Sequence, residues 1–348
     1  MVLNYNGLKW LQKCLSSISK TDYRNINIYL VDNCSTDGSI NYVKSKFPKV
    51  EIIKFQKNLG FAEAYNRAIE EVKTDYILLL NNDTEILDPR WIQNLIKIIL
   101  IDSKIVAVTC KMVSMNDPSR LDSVGGMGIP FWRGFVDIGR GEIDHGQYDK
   151  KDFEPFSFCG GATLIKRDVF IKSKGFDSKF FMYFEDVDLS WRLRLLGYRI
   201  TLAPDAKVSH YSSGSSQSRD IDAKRFYLCY RNFLRMILKN SGQSLKWAIS
   251  NYIIYSIIAS LGAGISEPRK ALVVVRSIIW NLIHLKDTYS WRLKIQANRR
   301  EDETRILRKM YPRIKRYEPM EHTSKIYINL RRILNTLFEY SQRHYIYE

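Results

Sequence analysis

The first 110 residues predict an α/β fold of the Rossmann-like kind, a mostly parallel, doubly wound sheet, and three observations carry that reading. Apolar runs alternate with stretches of helical periodicity. The run at 76–80, Tyr-Ile-Leu-Leu-Leu, is apolar throughout, as a strand covered on both faces must be. Asn4, Asp32 and Asp83 each stand at the end of an apolar run, on the edge where such sheets bind ligands.

Residues 1–4 read as the stub of a strand, with Gly7 turning the chain after it. The chain opens directly on Val2-Leu3-Asn4, inside that strand, so missing upstream residues or a late start codon are expected, and no signal peptide is read. Leu8, Leu11, Leu15 and Ile18 recur at helical spacing, and residues 26–31 form a second strand ending at Asp32-Asn33. Ser35-Thr36-Asp37-Gly38-Ser39 offers capping side chains before another helix, and Pro48 lies beyond its end. Residues 50–55 form a third strand. Phe61, Tyr65, Ala68, Ile69 and Val72 then line one helical face, and after the strand at 76–80 Asp88-Pro89 opens another helix. Residues 113–156, rich in Gly and aromatics, read as a long loop able to help hold an acceptor. Residues 187–196 form a helix stopped by Gly197, and 206–209 a strand leading to His210.

Charge divides the chain. Residues 216–348 carry 25 Lys/Arg against 11 Asp/Glu, whereas 1–215 carry 29 against 26. The boundary is therefore set at 215/216, a catalytic domain followed by a basic helical region. Within that region 247–266 is a charge-free run of 20 residues, but its Ser, Asn and Gly content makes it a poor bilayer span. Amphipathic helices lying on an anionic membrane surface fit better, with Trp247, Trp280 and Trp291 at headgroup level. A single or hairpin membrane insertion and a soluble oligomerisation bundle are the other readings. No zinc-finger or RNA-binding signature accompanies the basic residues, so nucleic acid is not an expected partner. Five scattered cysteines with no CxxC pair suggest neither a zinc site nor a disulfide framework, and fit a reducing cytosol.

Taken singly, Asn81-Asn82-Asp83 is a turn and Glu185-Asp186 the first turn of a helix. Their order among other motifs says more. Leu3-Asn4-Tyr5-Asn6-Gly7, the Asp32–Ser39 segment, Asn58-Leu59-Gly60-Phe61, Asn81-Asn82-Asp83, Cys159-Gly160-Gly161-Ala162, Gly175-Phe176-Asp177, Glu185-Asp186-Val187-Asp188-Leu189 and a final His210 succeed one another. Over roughly residues 1–215 this series resembles the family 2 glycosyltransferases, most closely a rhamnosyltransferase-like branch. The resemblance implies a GT-A fold, a nucleoside-diphosphate sugar donor (UDP- or dTDP-linked), Mg2+ or Mn2+, and inversion at the anomeric carbon. It implies Asp186 as general base and Glu185 as the residue orienting hydroxyls, with Asp188 a weaker candidate for either. Asp83 and His210 would bind the metal. Asn4, Tyr5, Asp32, Asn66, Asn81, Asn82, Gly160 and Gly161 would bind the donor.

Two departures stand out: Asn81 and Asn82 replace carboxylates common in relatives, and Tyr65 stands where many have Arg. The chemistry is consistent with these assignments. A sugar diphosphate leaves readily only if a hard cation neutralises it, and an inverting transfer needs one base on the acceptor hydroxyl. The expected acceptor is a glycan or a lipid-linked glycan, met at the cytoplasmic face of the cell membrane. Two other classes compete. A sugar-phosphate nucleotidyltransferase would want a Gly-rich basic loop after the first strand, which Asn4-Tyr5-Asn6-Gly7 is not. A non-catalytic basic membrane- or nucleic-acid-binding protein would leave Asp83, Asp186 and His210 without a role.

Overall fold

The computed structural model describes residues 1–129, 134–151, 153–211, 219–264 and 268–310. In chain order the first elements are β1 (Val2–Asn4), α1 (Leu8–Ile18), β2 (Tyr29–Asp32), α2 (Ser39–Lys46), β3 (Glu51–Lys54), α3 (Gly60–Glu71), β4 (Tyr76–Asn81), β5 (Thr84–Ile86) and α4 (Trp91–Ile99). There follow β6 (Ile105–Ser114), β7 (Leu121–Ser123), β8 (Gly126–Ile129), β9 (Gly134–Asp137), β10 (Ala162–Lys166), α5 (Arg167–Lys172), α6 (Glu185–Leu195) and β11 (Arg199–His210). The helices α7 (Arg219–Asn240), α8 (Leu245–Gly264), α9 (Pro268–Ile283), α10 (Leu285–Ala297) and α11 (Glu303–Met310) complete the described chain.

The main sheet runs β3-β2-β1-β4-β10-β6-β11-β5, with β7 added beside β6. β1 to β4 are mutually parallel and β11 runs parallel to β6, while β10 lies antiparallel between β4 and β6. Successive residues of β4 face opposite layers. Leu80 packs with Leu11, Leu15, Trp91 and Leu95 of α1 and α4, and Leu79 packs with Phe61, Tyr65, Leu189 and Leu193 of α3 and α6. Burial on both faces is why this strand has no polar face.

Several expectations are revised. The segment read as a long loop contains β7, the β8–β9 hairpin and two isolated bridges, Arg120–Ile143 and Gly126–Ser157. Its strands are three or four residues long, and β8 and β9 contain Gly, so alternation gave no signal there. Asp88-Pro89 does not open α4. Asp88 accepts the Arg90 N–H at 2.8 Å in a turn, and the helix begins at Trp91. Gly197, at φ +83°, does end α6.

The basic region is not a detached appendage. Val187, Trp191 and Leu195 of α6 share a core with Phe233, Met236 and Ile237 of α7, Tyr252 of α8 and Ile306, Leu307 and Met310 of α11. Beside it lies a buried ionic network. Lys239 Nζ lies 2.6 Å from Asp177 and 3.0 Å from Asp188, Arg235 pairs with Asp177 and Asp287, and Asn240 donates to Asp188. Burial works against the Asp177 charge, yet Lys239 and Arg235 hold its pKa well below the usual range.

The tryptophans expected at headgroup level are each half-buried against neighbouring helices. The Arg231 guanidinium lies 4.4 Å from the Trp280 ring, Lys239 lies 4.8 Å from Trp291, and Trp247 packs against the shared core. Buried cations attracted them. Among the described residues no helix is long and apolar enough to cross a membrane. Arg235→Met, which leaves Asp177 and Asp287 short of a partner, is expected to cost about 3–5 kcal/mol of stability, read from urea unfolding of the full chain.

Candidate active site

Three parallel strands deliver their ends to one edge, and Asn4 links them. Its Nδ2 donates to Asp32 Oδ1 (3.2 Å) and Ser35 Oγ (3.0 Å), while its Oδ1 accepts from Asn82 Nδ2 (2.8 Å). Asn4 and Asp32 are fully buried, so each needs these partners. Asp32 Oδ2 also accepts the Ser35 N–H, which turns the chain back over the strand end. Gly7 is required here: a Cβ would come within 1.9 Å of Asn82 Nδ2 and 2.5 Å of Asn4 Oδ1. Tyr5, half exposed, stands beside this cluster.

β4 ends at Asn81, and the Asn82-Asp83 turn leads straight into β5. Because β5 pairs antiparallel with β11, Thr84 lies opposite His210 and Asp83 reaches that histidine. His210 Nε2 is 3.2 Å from Asp83 Oδ1, and its Nδ1 is 2.7 Å from Asp122 Oδ2. Burial opposes a charge on the ring, but Asp122 and Asp83 outweigh it and raise its pKa to about 9. Asp122 is held in turn by Arg140, which also pairs with Asp137.

The other side of the site is built on Gly160-Gly161. The Gly160 N–H donates to Asp186 Oδ2 at 3.0 Å, and a Cβ on Gly161 would come within 3.2 Å of Asn81 Nδ2, so this dipeptide connects the β4 end to α6. Asp186 Oδ1 accepts the Val187 N–H at 2.8 Å. Burial raises its pKa to about 6 against those two N–H groups, and the nearby Asp137 charge adds to the rise. Glu185 is buried more deeply. Burial, then the neighbouring Asp186, push its carboxyl well above the usual range, and its Oε2 has no hydrogen-bond partner among the described residues. The approach to this pair is strained: Phe181, Tyr183 and Phe184 have φ of 65°, 72° and 69°. Aromatic residues in the left-handed region cost of order 1–3 kcal/mol each and persist only where the surroundings impose them.

Of the residues named from the sequence, Asn4, Asp32 and Asn82 form one cluster, Asp83 and His210 a second, and Gly160, Gly161, Asn81 and Asp186 a third. Asn66 joins none of them. Its amide is committed to the Phe176 backbone, donating to the carbonyl at 2.8 Å and accepting the N–H at 2.9 Å, which fixes the 176–178 turn. Asp188 is likewise a structural ion, sealed between Arg192, Lys239 and Asn240. Sequence reasoning missed Asp122, Asp137 and Arg140, which lay in the stretch read as loop. It also missed the support role of Asn33, whose amide ties Asn58, Leu59 and Gly60 to the β2 end. Among the described residues no three His, Cys, Asp or Glu side chains gather as a metal cage. Asp83 Oδ1 and His210 Nε2 do face one another, and a hard cation held mainly by substrate phosphates needs only one or two protein ligands.

The raised pKa of Asp186 predicts a stability effect. A carboxylate whose folded pKa exceeds its unfolded value favours the fold fully only below the unfolded value, about 3.9, and that contribution is lost as pH rises through about 6. Asp186→Asn should therefore melt higher than wild type at pH 8, by at most about 3 kcal/mol, and match it near pH 4.

Residues 1–173 match the family described as "Glycosyl transferase family 2". Among curated relatives, N-acetylglucosaminyl-diphospho-decaprenol L-rhamnosyltransferase of Mycobacterium tuberculosis is 26% identical over 245 residues, covering 62% of this chain and 76% of that protein. O-antigen biosynthesis protein RfbC of Myxococcus xanthus is 25% identical over 226 residues, and the match spans 62% of this chain but only 17% of RfbC. Among solved structures, GalNAc-T7 with UDP, GalNAc and Mn2+ superposes with a TM-score of 0.54 at 14% identity, over 77% of this chain and 57% of that one. TarS 1-349 of Staphylococcus aureus in complex with UDP-GlcNAc does so with 0.53 at 14% identity, over 85% and 86%. These structures share the fold, which is GT-A. With its motifs in order along that fold, residues 1–173 of the chain form a glycosyl transferase family 2 domain that resembles the rhamnosyltransferase-like branch.

Proposed function

We propose that this protein is an inverting, metal-dependent glycosyltransferase that moves a sugar from a nucleoside-diphosphate donor to a glycan or lipid-linked acceptor. The observation that carries the reading is the placement of Asp186, fixed by the Gly160 N–H next to the strand edge where Asn4, Asp32 and Asn81–Asp83 lie. Asp32 and Asn4, with Tyr5 exposed beside them, would receive the nucleoside, and Asn81 and Asn82 its ribose or phosphate. Gly160-Gly161 lets the sugar approach the backbone closely. Asp83 and His210 would hold Mg2+ or Mn2+, losing the imidazole proton on binding. The bound cation would neutralise charge on the departing diphosphate. Names of similar proteins agree with this: one relative transfers L-rhamnose in a decaprenol-linked context, and GalNAc-T7 was crystallised with UDP and Mn2+.

Asp186 takes the proton of the acceptor hydroxyl. The oxygen forms its bond to the anomeric carbon as the bond to the diphosphate breaks on the opposite face, so configuration inverts. Glu185 orients hydroxyls, and burial followed by the neighbouring Asp186 charge favours its protonated form. The test is transfer from a panel of nucleotide sugars with Mg2+ or Mn2+ and membrane lipid extract as acceptor source. Asp186→Asn should lose about 10²–10⁴-fold in kcat, and Asp83→Ala should lose metal-stimulated transfer. The wild-type kcat/KM should fall as pH drops below about 6, where Asp186 becomes protonated. Full activity in Asp186→Asn would remove the proposed base.

We further propose residues 1–215 as the catalytic domain and 216–348 as a basic region that rests on an anionic membrane at the cytoplasmic face. Ile253, Ile254 and Ile257 of α8 and Leu272, Val275, Ile279, Leu282 and Ile283 of α9 are exposed, with Ile283 at 73%. On α9 these recur every three or four residues, which puts them on one stripe. The doublet Leu282→Asp/Ile283→Asp is expected to lower binding to anionic vesicles about tenfold or more while transfer to a soluble acceptor persists. Unchanged vesicle binding would leave this stripe to pairing between copies of the chain, to be checked by light scattering.

A further inference from the structure

The strained segment before Asp186 is shaped from a distance of some fifty residues along the chain. Asn232 of α7 points its side-chain Nδ2 at three backbone carbonyls, those of Phe180 (2.9 Å), Met182 (2.9 Å) and Tyr183 (2.8 Å). Asn232 is fully buried, and its own Oδ1 accepts from Arg231 Nε at 2.9 Å, so the amide cannot rotate away. Arg231 Nη2 reinforces the hold by donating to the carbonyls of Lys179 and Phe180. The carbonyls that Asn232 gathers lie in the 180–184 stretch, whose residues Phe181, Tyr183 and Phe184 take positive φ. Phe180 ends a 3-10 turn and its carbonyl also accepts the Met182 N–H at 2.7 Å, but beyond it the segment is neither helix nor strand until α6 begins at Glu185. On its far side the same segment presents the Phe181 carbonyl to the Phe61 N–H (2.6 Å) and closes against Gly60 of α3. It is therefore clamped between α3 and α7, and it ends in Glu185-Asp186.

We infer that Asn232 is a positioning residue for sugar transfer: by holding the backbone of 180–183 in its left-handed course it sets where α6 starts and so where the Asp186 carboxylate stands against Gly160. This rests on the reading of Asp186 as the base. Asn232 touches neither donor nor acceptor in this scheme. It acts through the loop alone, so its loss should change kcat and not donor binding.

The experiment uses the full chain with the donor and acceptor that give transfer. Asn232→Ala should lower kcat roughly 10–100-fold, the scale of an ångström misplacement of a reacting group, with donor KM and nucleoside-diphosphate affinity by calorimetry changed less than about twofold. Asn232→Ser, which keeps one donor, should fall between the two. The deciding arm is a double-mutant cycle. In an Asp186→Asn background Asn232→Ala should have no further effect on the residual rate, because the group it positions is gone. Multiplied losses in the double variant, or an Asn232→Ala enzyme that melts lower yet turns over normally below its melting point, would overturn the inference while the base assignment stands. Full transfer by Asp186→Asn would instead remove the base, and the inference with it. Where Asn232→Ala does not fold, hydrogen exchange of Asn232→Ser decides. Faster exchange confined to residues 178–187 supports the clamp, and unchanged exchange there overturns it.

Discussion

At the centre of the contact between the two parts of this molecule lies a buried ammonium. Lys239 of α7 sits fully buried between Asp177, which caps the 3-10 turn at Ser178–Phe180, and Asp188 in the first turn of α6. Removing a charge from water costs several kcal/mol, and here that cost is offset only because two carboxylates, Arg235, Arg192 and Asn240 close the network. Every residue from 177 to 188 is thereby bracketed at both ends by the same helix. The helices after β11 are then part of the frame that presents Asp186, not cargo attached to a finished domain.

The same logic explains a contrast at the site. The edge formed by the ends of β1, β2 and β4 is hydrogen-bonded: Asn4 satisfies Asp32 and Asn82, and Asn81 and Asn82 bring no charge. Negative charge is concentrated around His210, through Asp83, Asp122 and Asp137, with Arg140 as counterweight. Substituting amides for carboxylates in the Asn81–Asp83 turn therefore does not leave the region electrically bare. Asp122, supplied from β7, restores negative charge by a route that runs through the imidazole.

Much of this was legible in the sequence because it obeys short-range rules. The β1–β4 half was readable from apolar runs that end on Asn4, Asp32 and Asn81, and the motif order named the family before any coordinates. The unreadable parts share one property, dependence on distant partners. Asn66 looks like a donor ligand until residue 176 is seen to consume its amide. Asp188 looks like a third acid in an acidic motif until Lys239, 51 positions on, neutralises it. Trp280 and Trp291 look like interfacial aromatics, yet they lie against the cations of Arg231 and Lys239. β7 to β9 escaped because strands of three or four residues, two of them with Gly, leave no alternating pattern to find.

The clamp of α7 on the 180–184 segment also bears on the order in which the chain can become competent. Chains emerge from the ribosome N-terminus first and domains settle as they appear. All the motifs through Glu185-Asp186 are synthesised before Asn232, Arg235 and Lys239 exist. A nascent chain at that stage can already pair β1 to β4 and gather Asn4, Asp32 and Asn82, but the segment with the three left-handed aromatics is held from the α3 side alone. The strand edge can thus form before the Asp186 segment is fixed during synthesis, and the step that completes that segment is the arrival of the basic helices.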